Sequence, residues 1–367
     1  MSLPSIAPLV AALHDGRELL DWSPATWDLC LRQGRHADVL ARLGEAAQEA
    51  GVWHRVPQTA RYHLEAACKL ADRQHAELAH EVRAIARALA RTGVPVVLLK
   101  GAAYRMAGLR AARGRLVADV DILVPRERLA DVESALMMGG WVSTQHSAYD
   151  QRYYRQWMHE LPPLRHVHRG SVLDVHHAIL PLTNRLRPDP ALLLADAVPV
   201  PGEEGQGGVR TLAPLDLLLH SAAHLFHEGE LDMGLRGLLD LDALLRECVP
   251  DDTAARALLR RAQALQLSRP LALALRYTQA LLGTPVPAVL RDGLPGAHPA
   301  QLAGHHWLDA LYLRALRPPH PSAGDRWTPL ARLVLYLRAH ALRMPPHLLV
   351  PHLLRKLFTP TKTHADA

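Results

Sequence analysis

Two aspartates one residue apart, Asp119 and Asp121, sit inside the otherwise apolar run Val117-Ala118-Asp119-Val120-Asp121-Ile122-Leu123-Val124. In a strand, residues i and i+2 project to one face, so the two carboxylates point together while Val120, Ile122 and Val124 pack the other way. Like charges a few ångströms apart repel and are costly to desolvate, so cations, a metal ion or solvent must compensate them. Without such compensation, neutralising either aspartate should relieve strain. Paired carboxylates on a rigid element are what a magnesium site needs, with substrate phosphates and water completing the shell. The tripeptide alone is also served by a plainer arrangement: a strand end with one Asp capping the next helix and the other in water.

Three further features bear on that choice. Lys100-Gly101 closes the preceding strand-like run and opens a helix, placing backbone N–H groups, a positive helix end and an ammonium where an anion would bind. The chain holds only four Lys (Lys69, Lys100, Lys356 and Lys362) among 42 basic residues. A Lys at this position therefore points to a compact point charge, a snorkelling side chain being the alternative. The run SVLDVHH brings another carboxylate, Asp174, between Leu173 and Val175. From a second strand it can join the pair across a sheet. Arg115, four residues before Asp119, either extends along the strand toward bound phosphate or is a solvated edge residue. His176 and His177 follow Asp174 directly, so one of them must flank the site.

Two other groups have the spacing of a site. His220, His224 and His227 share one helical face, which is compatible with a metal, but Ser221 stands where the zincin pattern has Glu. Hydrogen-bonded or substrate-facing histidines are the plainer reading. Asp240 and Asp242 follow Arg236 on a helix that either faces a cleft or carries an ordinary buried Arg–Asp pair.

The elements that must position these residues can be traced along the chain. Residues 22 to about 92 read as amphipathic helices, the last from Thr59 to Arg91 with apolar positions at Leu64, Ala67, Leu70, Ala71, Leu78, Val82, Ile85 and Leu89. VPVVLLK is a strand, GAAYRMAGLRAARG a helix ending on glycine, and residues 115–124 a strand. Residues 126–138 form a helix closed by Gly139-Gly140. Leu164–Arg169 and Ser171–His177 are strands joined by a hairpin at Gly170. Beyond the Pro/Gly/Glu-rich loop 199–208 the pattern is helical to the end, with the Pro-rich stretch 284–299 as a linker or surface loop. The expected organisation is an N-terminal helical region (1–92), an α/β core (93–212) and a C-terminal helical region (213–367).

Composition limits the function classes. In 367 residues, 49% are hydrophobic but only 5% aromatic, so the core is built from Leu, Ala and Val and favours helices. The net charge of +6 comes without Lys/Arg blocks or an aromatic–basic platform, which argues against a nucleic-acid-binding module without chemistry. Three scattered Cys support neither a disulfide framework nor a zinc ribbon and fit a reducing cytoplasm. No stretch reaches the ~18 uninterrupted apolar residues of a membrane span. The basic amphipathic stretch 331–358 reads as packed terminal helices, a membrane surface being the rival.

The order Leu98-Leu99-Lys100-Gly101, Arg115-x-x-x-Asp119-x-Asp121-x-Leu123-Val124, a helix ending in Gly-Gly-Trp, then Leu173-Asp174-Val175-His176-His177 resembles the uncharacterised bacterial nucleotidyltransferases of the polymerase-β-like superfamily. LAPLDLLLHSAAHLFHEG followed by LRGLLDLDALL extends the resemblance over residues 22–250. It implies an α+β fold, a polymerase-β-like nucleotidyltransferase core with a mixed sheet, embedded between the two helical regions. It further implies that Asp119, Asp121 and Asp174 are catalytic and hold magnesium, two ions in all, and that Lys100, Gly101 and Arg115 bind the triphosphate of an NTP. Gly101-Ala102 replaces the Gly-Ser common in the superfamily, so no serine hydroxyl is offered to phosphate there. The implied reaction transfers a nucleoside monophosphate to a hydroxyl or similar acceptor on a small molecule, a peptide or protein, or an RNA end. A catalytically silent nucleotide- or partner-binding module of the same fold is the alternative, and the three carboxylates favour the enzyme.

Overall fold

The computed structural model describes residues 5–144, 147–203, 208–227, 231–297 and 306–344. Four helices come first: α1 (Ala7–His14), α2 (Pro24–His36), α3 (Leu40–Glu49) and α4 (Gln58–Leu89). The sheet-bearing part follows as β1 (Val96–Leu98), α5 (Lys100–Met106), β2 (Asp119–Leu123), α6 (Leu129–Met138), β3 (Trp141–Ser143), α7 (Ala148–Trp157), β4 (Leu164–His166), β5 (Val172–His176), α8 (Pro190–Ala195), β6 (Val198–Pro199) and β7 (Val209–Thr211). The remaining helices are α9 (Pro214–His227), α10 (Gly234–Cys248), α11 (Asp252–Ala264), α12 (Ser268–Leu282), α13 (Ala288–Gly293), α14 (His306–Ala315) and α15 (Thr328–Arg343). This is the expected α+β fold, a mixed sheet flanked by helical regions.

The seven strands form one mixed sheet in the order β3-β4-β5-β2-β1-β7-β6. β2 pairs with β5, and β1 with β7, in parallel, while every other pair is antiparallel. The central strands are apolar because both faces are covered: Val96, Val97, Leu98 and Leu99 are fully buried, each contributing on the order of 1.5–3 kcal/mol of transfer free energy.

Several expectations shift at the edges. The strand expected over 115–124 begins only at Asp119, because α4 claims the backbone before it: His75 Nε2 bonds to Arg115 O at 2.8 Å and Gln74 Oε1 accepts from Val117 N at 3.0 Å. The helix after Lys100 stops at Met106, two residues before Gly108 at φ 69°. The expected hairpin forms with a longer turn, in which Gly170 takes φ 70° and its N–H donates to His166 O at 2.8 Å. β3, β6 and β7 are strands that the sequence pattern does not announce. β7 stands where the reading past residue 208 has helix. On α4, Leu70 lies outside the buried face at 47% exposure.

One hydrophobic cluster joins the sheet to the C-terminal half of α4 and to α6, α9, α11 and α12. A second joins α1–α3 and the start of α4 to α9, α10, α12, α14 and α15, so helices from both ends of the chain share one core. α15 buries Ala331, Leu335 and Ala339, and residues 345–358 of the amphipathic stretch lie outside the described residues. No helix among the described residues is long and apolar enough to cross a membrane.

Gly114 sets how closely the first helices approach the sheet. Its φ is 54°, and a Cβ there would lie 2.6 Å from the Ala41 carbonyl carbon and 2.7 Å from Arg42 Cα on α3. A left-handed backbone and a backbone–backbone approach both demand glycine. Gly114→Ala should therefore cost about 2–5 kcal/mol, read as a lower urea midpoint at unchanged m-value.

Candidate active site

β2 and β5 run side by side in parallel with Asp121 opposite Asp174 and Asp119 opposite Val172. Since i and i+2 share a face, this register gathers all three carboxylates. Oxygen atoms of Asp119, Asp121 and Asp174 lie within 4.8 Å of one another. Asp121 is buried, Asp174 half-buried and Asp119 exposed at the mouth.

The charges are compensated unevenly. Asp121 Oδ1 receives Lys100 Nζ at 2.9 Å and lies 2.9 Å from His176 Nε2. Burial opposes its charge, but the Lys100 ammonium and His176 outweigh burial and hold its carboxyl far below the usual range. His176 is itself raised: burial works against its charge, while Asp121 and then Glu160, whose Oε2 is 3.3 Å from Nδ1, more than offset it. Asp174 has no such partner. Burial, then the Asp121 and Glu160 charges, push it up to about 7, and its Oδ1 is a buried acceptor with no hydrogen-bond partner among the described residues. Asp119 is raised as well, first by desolvation from the surrounding protein and then by Asp121.

This donor set fits a hard divalent cation. Three carboxylates converge, two of them raised by burial and by a neighbouring carboxylate, and one presents an orphaned buried oxygen, all of which an oxygen-seeking ion would satisfy. The expectation that either Asp of the pair is strained therefore holds only for Asp119, since Asp121 is anchored by two cationic partners.

Lys100 occupies the junction of β1 and α5 with φ 47°, a conformation that non-glycine residues seldom hold without support and that concentrates at functional sites. Its neighbour ties this junction to β2 through Leu99 N–H donating to Asp121 O at 3.0 Å. Gly101 leaves room for Arg115: a Cβ would run into Arg115 Nη1 and Val117 Cγ2. Arg115 is neither a solvated edge residue nor extended along the strand. Its Nε donates to Asp240 Oδ2 on α10 at 2.9 Å, and its guanidinium lies 5.7 Å from the centre of the Tyr104 ring. Arg42 of α3 also pairs with Asp240. Asp240 is thus the buried Arg–Asp partner that its spacing allowed, though its arginines come from 125 and 198 residues away.

His220, His224 and His227 do not gather around one point, and no metal-ligating cluster among the described residues contains them. His220 is fully buried and stays neutral, its pKa lowered well below 6.5 by burial and by Lys100. The His227 ring instead meets Asn184, its Nδ1 lying 3.5 Å from Asn184 Nδ2. Sequence reasoning missed Glu160, which reaches the site because His159–Leu161 runs beside the end of β5. A cleft of about 530 Å³ opens at Asp119, lined by Gln74, Glu77, Glu81, Val117, Arg169 and Ser171 among others.

The uneven compensation predicts opposite effects in the metal-free protein. Asp121→Asn strands Lys100 and His176 and should destabilise by about 3–5 kcal/mol. Asp119→Asn should leave stability unchanged or higher. For Asp174 the folded pKa lies above the unfolded one, so between about 3.8 and 7 the folded state binds the extra proton and stability falls as pH rises. Melting curves in chelator should show Asp174→Asn flattening that fall, with its gain over wild type largest above pH 7.

The model of a family described as uncharacterised nucleotidyltransferases matches residues 23–283, more than two-thirds of the chain. No curated protein matches it. The matched span includes the triad, Lys100, Gly101, Arg115 and Asp240, and by that match the chain belongs to this family of uncharacterised nucleotidyltransferases.

Proposed function

We propose that the protein transfers a nucleoside monophosphate from an NTP to a hydroxyl or similar acceptor, with magnesium held by Asp119, Asp121 and Asp174. The observation that carries this reading is the convergence of the three carboxylates across the parallel β2–β5 pair. Magnesium bound there would stabilise charge on the attacked phosphate and on the departing pyrophosphate.

The chain's own residues would do the rest. Lys100 sits at the edge of the triad through its contact with Asp121, where it would meet a triphosphate approaching the same carboxylate. Gly101 keeps side-chain bulk away from that approach and seats Arg115, whose charge acts from a fixed position because Asp240 holds it. Asp174, the third carboxylate and directly opposite Asp121, would take the proton of the acceptor hydroxyl. The cleft beside Asp119 would receive the acceptor. The family match accords with an NTP substrate.

Protein incubated with magnesium, each α-labelled NTP in turn and a panel of small-molecule, peptide and RNA acceptors should transfer label. Chelator should abolish transfer, and Asp119→Asn should lower it by about 10²–10³-fold or more. Magnesium plus the preferred NTP should raise the melting midpoint by mass action, and Lys100→Ala should remove most of that rise. Neither transfer nor a midpoint shift with any NTP would overturn this reading in favour of a silent module. An unchanged NTP response in Lys100→Ala would remove Lys100 from the phosphate site.

A further inference from the structure

We propose that His159, Glu160 and His176 form a second cation site, separate from the carboxylate triad, that holds one zinc-class divalent ion. One ligand atom from each of the three lies within 4.8 Å of the other two. His176 Nδ1 is 3.3 Å from Glu160 Oε2, and the His159 and His176 ring centres are 5.1 Å apart. Three ligands at about 2.0–2.2 Å from a tetrahedral ion stand roughly 3.4 Å from one another. The cluster therefore needs to draw in by roughly an ångström, within reach of side-chain rotation.

The backbone beneath it is fixed. Glu160 forms a bridge with His176. On either side of that bridge, His177 N–H donates to His159 O and Leu161 N–H to Val175 O, both at 2.8 Å. All three side chains thus hang from one stretch of paired backbone at the end of β5.

Ligand chemistry separates the two sites. The triad offers carboxylate oxygens alone, the set preferred by magnesium. Two imidazoles and one carboxylate favour a borderline metal instead. The rings are dry, His159 being 5% and His176 2% exposed, and the half-buried Glu160 gives access from outside.

The outer partner is also in place. With Nδ1 on a metal, the His176 hydrogen resides on Nε2, which lies 2.9 Å from Asp121 Oδ1. A metal-bound histidine that donates its other N–H to a carboxylate is the recurrent way in which such a ligand is oriented. The ion would hold His176 against Asp121 and supply positive charge beside Glu160, which otherwise adds to the negative field on Asp174. The inference does not rest on the proposed reaction, since occupancy of this site requires no nucleotide.

The test uses the full chain, stripped with chelator and titrated with Co²⁺ in saturating magnesium. Binding is read from the visible absorption that Co²⁺ acquires with imidazole ligands and from metal content after desalting. One Co²⁺ per chain should bind, be displaced by Zn²⁺ and persist in Asp119→Asn. His159→Gln and Glu160→Gln should each weaken it at least about tenfold while circular dichroism shows the fold retained. Should His159→Gln fail to fold, the half-buried Glu160→Gln carries the same reading. Absence of the absorption in wild type, its loss in Asp119→Asn, or wild-type binding in Glu160→Gln would each overturn the proposal.

Discussion

The contact of Asp121 with Lys100 and His176 is the constraint around which the site is built. A lone carboxylate in the middle of a covered sheet would be driven to neutralise itself. Here it stays charged because one cation arrives from the β1–α5 junction and a second partner from the neighbouring parallel strand. That requirement extends outward. Lys100 must hold an unfavourable backbone conformation to point its ammonium at β2, and His176 must sit at the end of β5, which fixes Asp174 two residues earlier on the face shared with Asp121. With Asp121 satisfied, the less compensated carboxylates are Asp119, at the open cleft, and Asp174.

A second ionic layer holds the helices around this centre. Asp240 of α10 receives Arg42 of α3 and Arg115 of the segment leading into β2, so one buried carboxylate joins elements from the start, middle and end of the matched span. Gly101 and Gly114 give Arg115 and α3 their room. The helices before and after the sheet share a hydrophobic core, which keeps this arginine layer packed behind the triad.

Much of this was legible in the sequence because it follows from period and local chemistry. Alternation placed Asp119 and Asp121 on one face, and an apolar run with β-branched residues marked β1, β2 and β5. The long apolar periodicity from Leu64 to Leu89 marked α4. What stayed hidden depends on pairing between distant segments. β3 and β7 are three residues each, too short for a period to show, and become strands only through partners already in the sheet. Glu160 lies outside the strands and enters the site through one bridge to His176. The spacing around Arg236 placed an arginine near Asp240, but nothing local tells that Arg115 and Arg42 are its partners. The strain expected of both aspartates was wrong for Asp121 because the Lys100 side chain, read as a phosphate ligand, also reaches the carboxylate.

The most direct test of the central claim is anomalous diffraction from crystals grown with Mn²⁺ and a non-hydrolysable NTP analogue, manganese standing in for magnesium as an oxygen-seeking cation. The account predicts strong anomalous density between the carboxylates of Asp119, Asp121 and Asp174, with analogue phosphate against it on the Lys100 side. Density elsewhere with that cleft face empty, at manganese and analogue concentrations far above saturation, would contradict it.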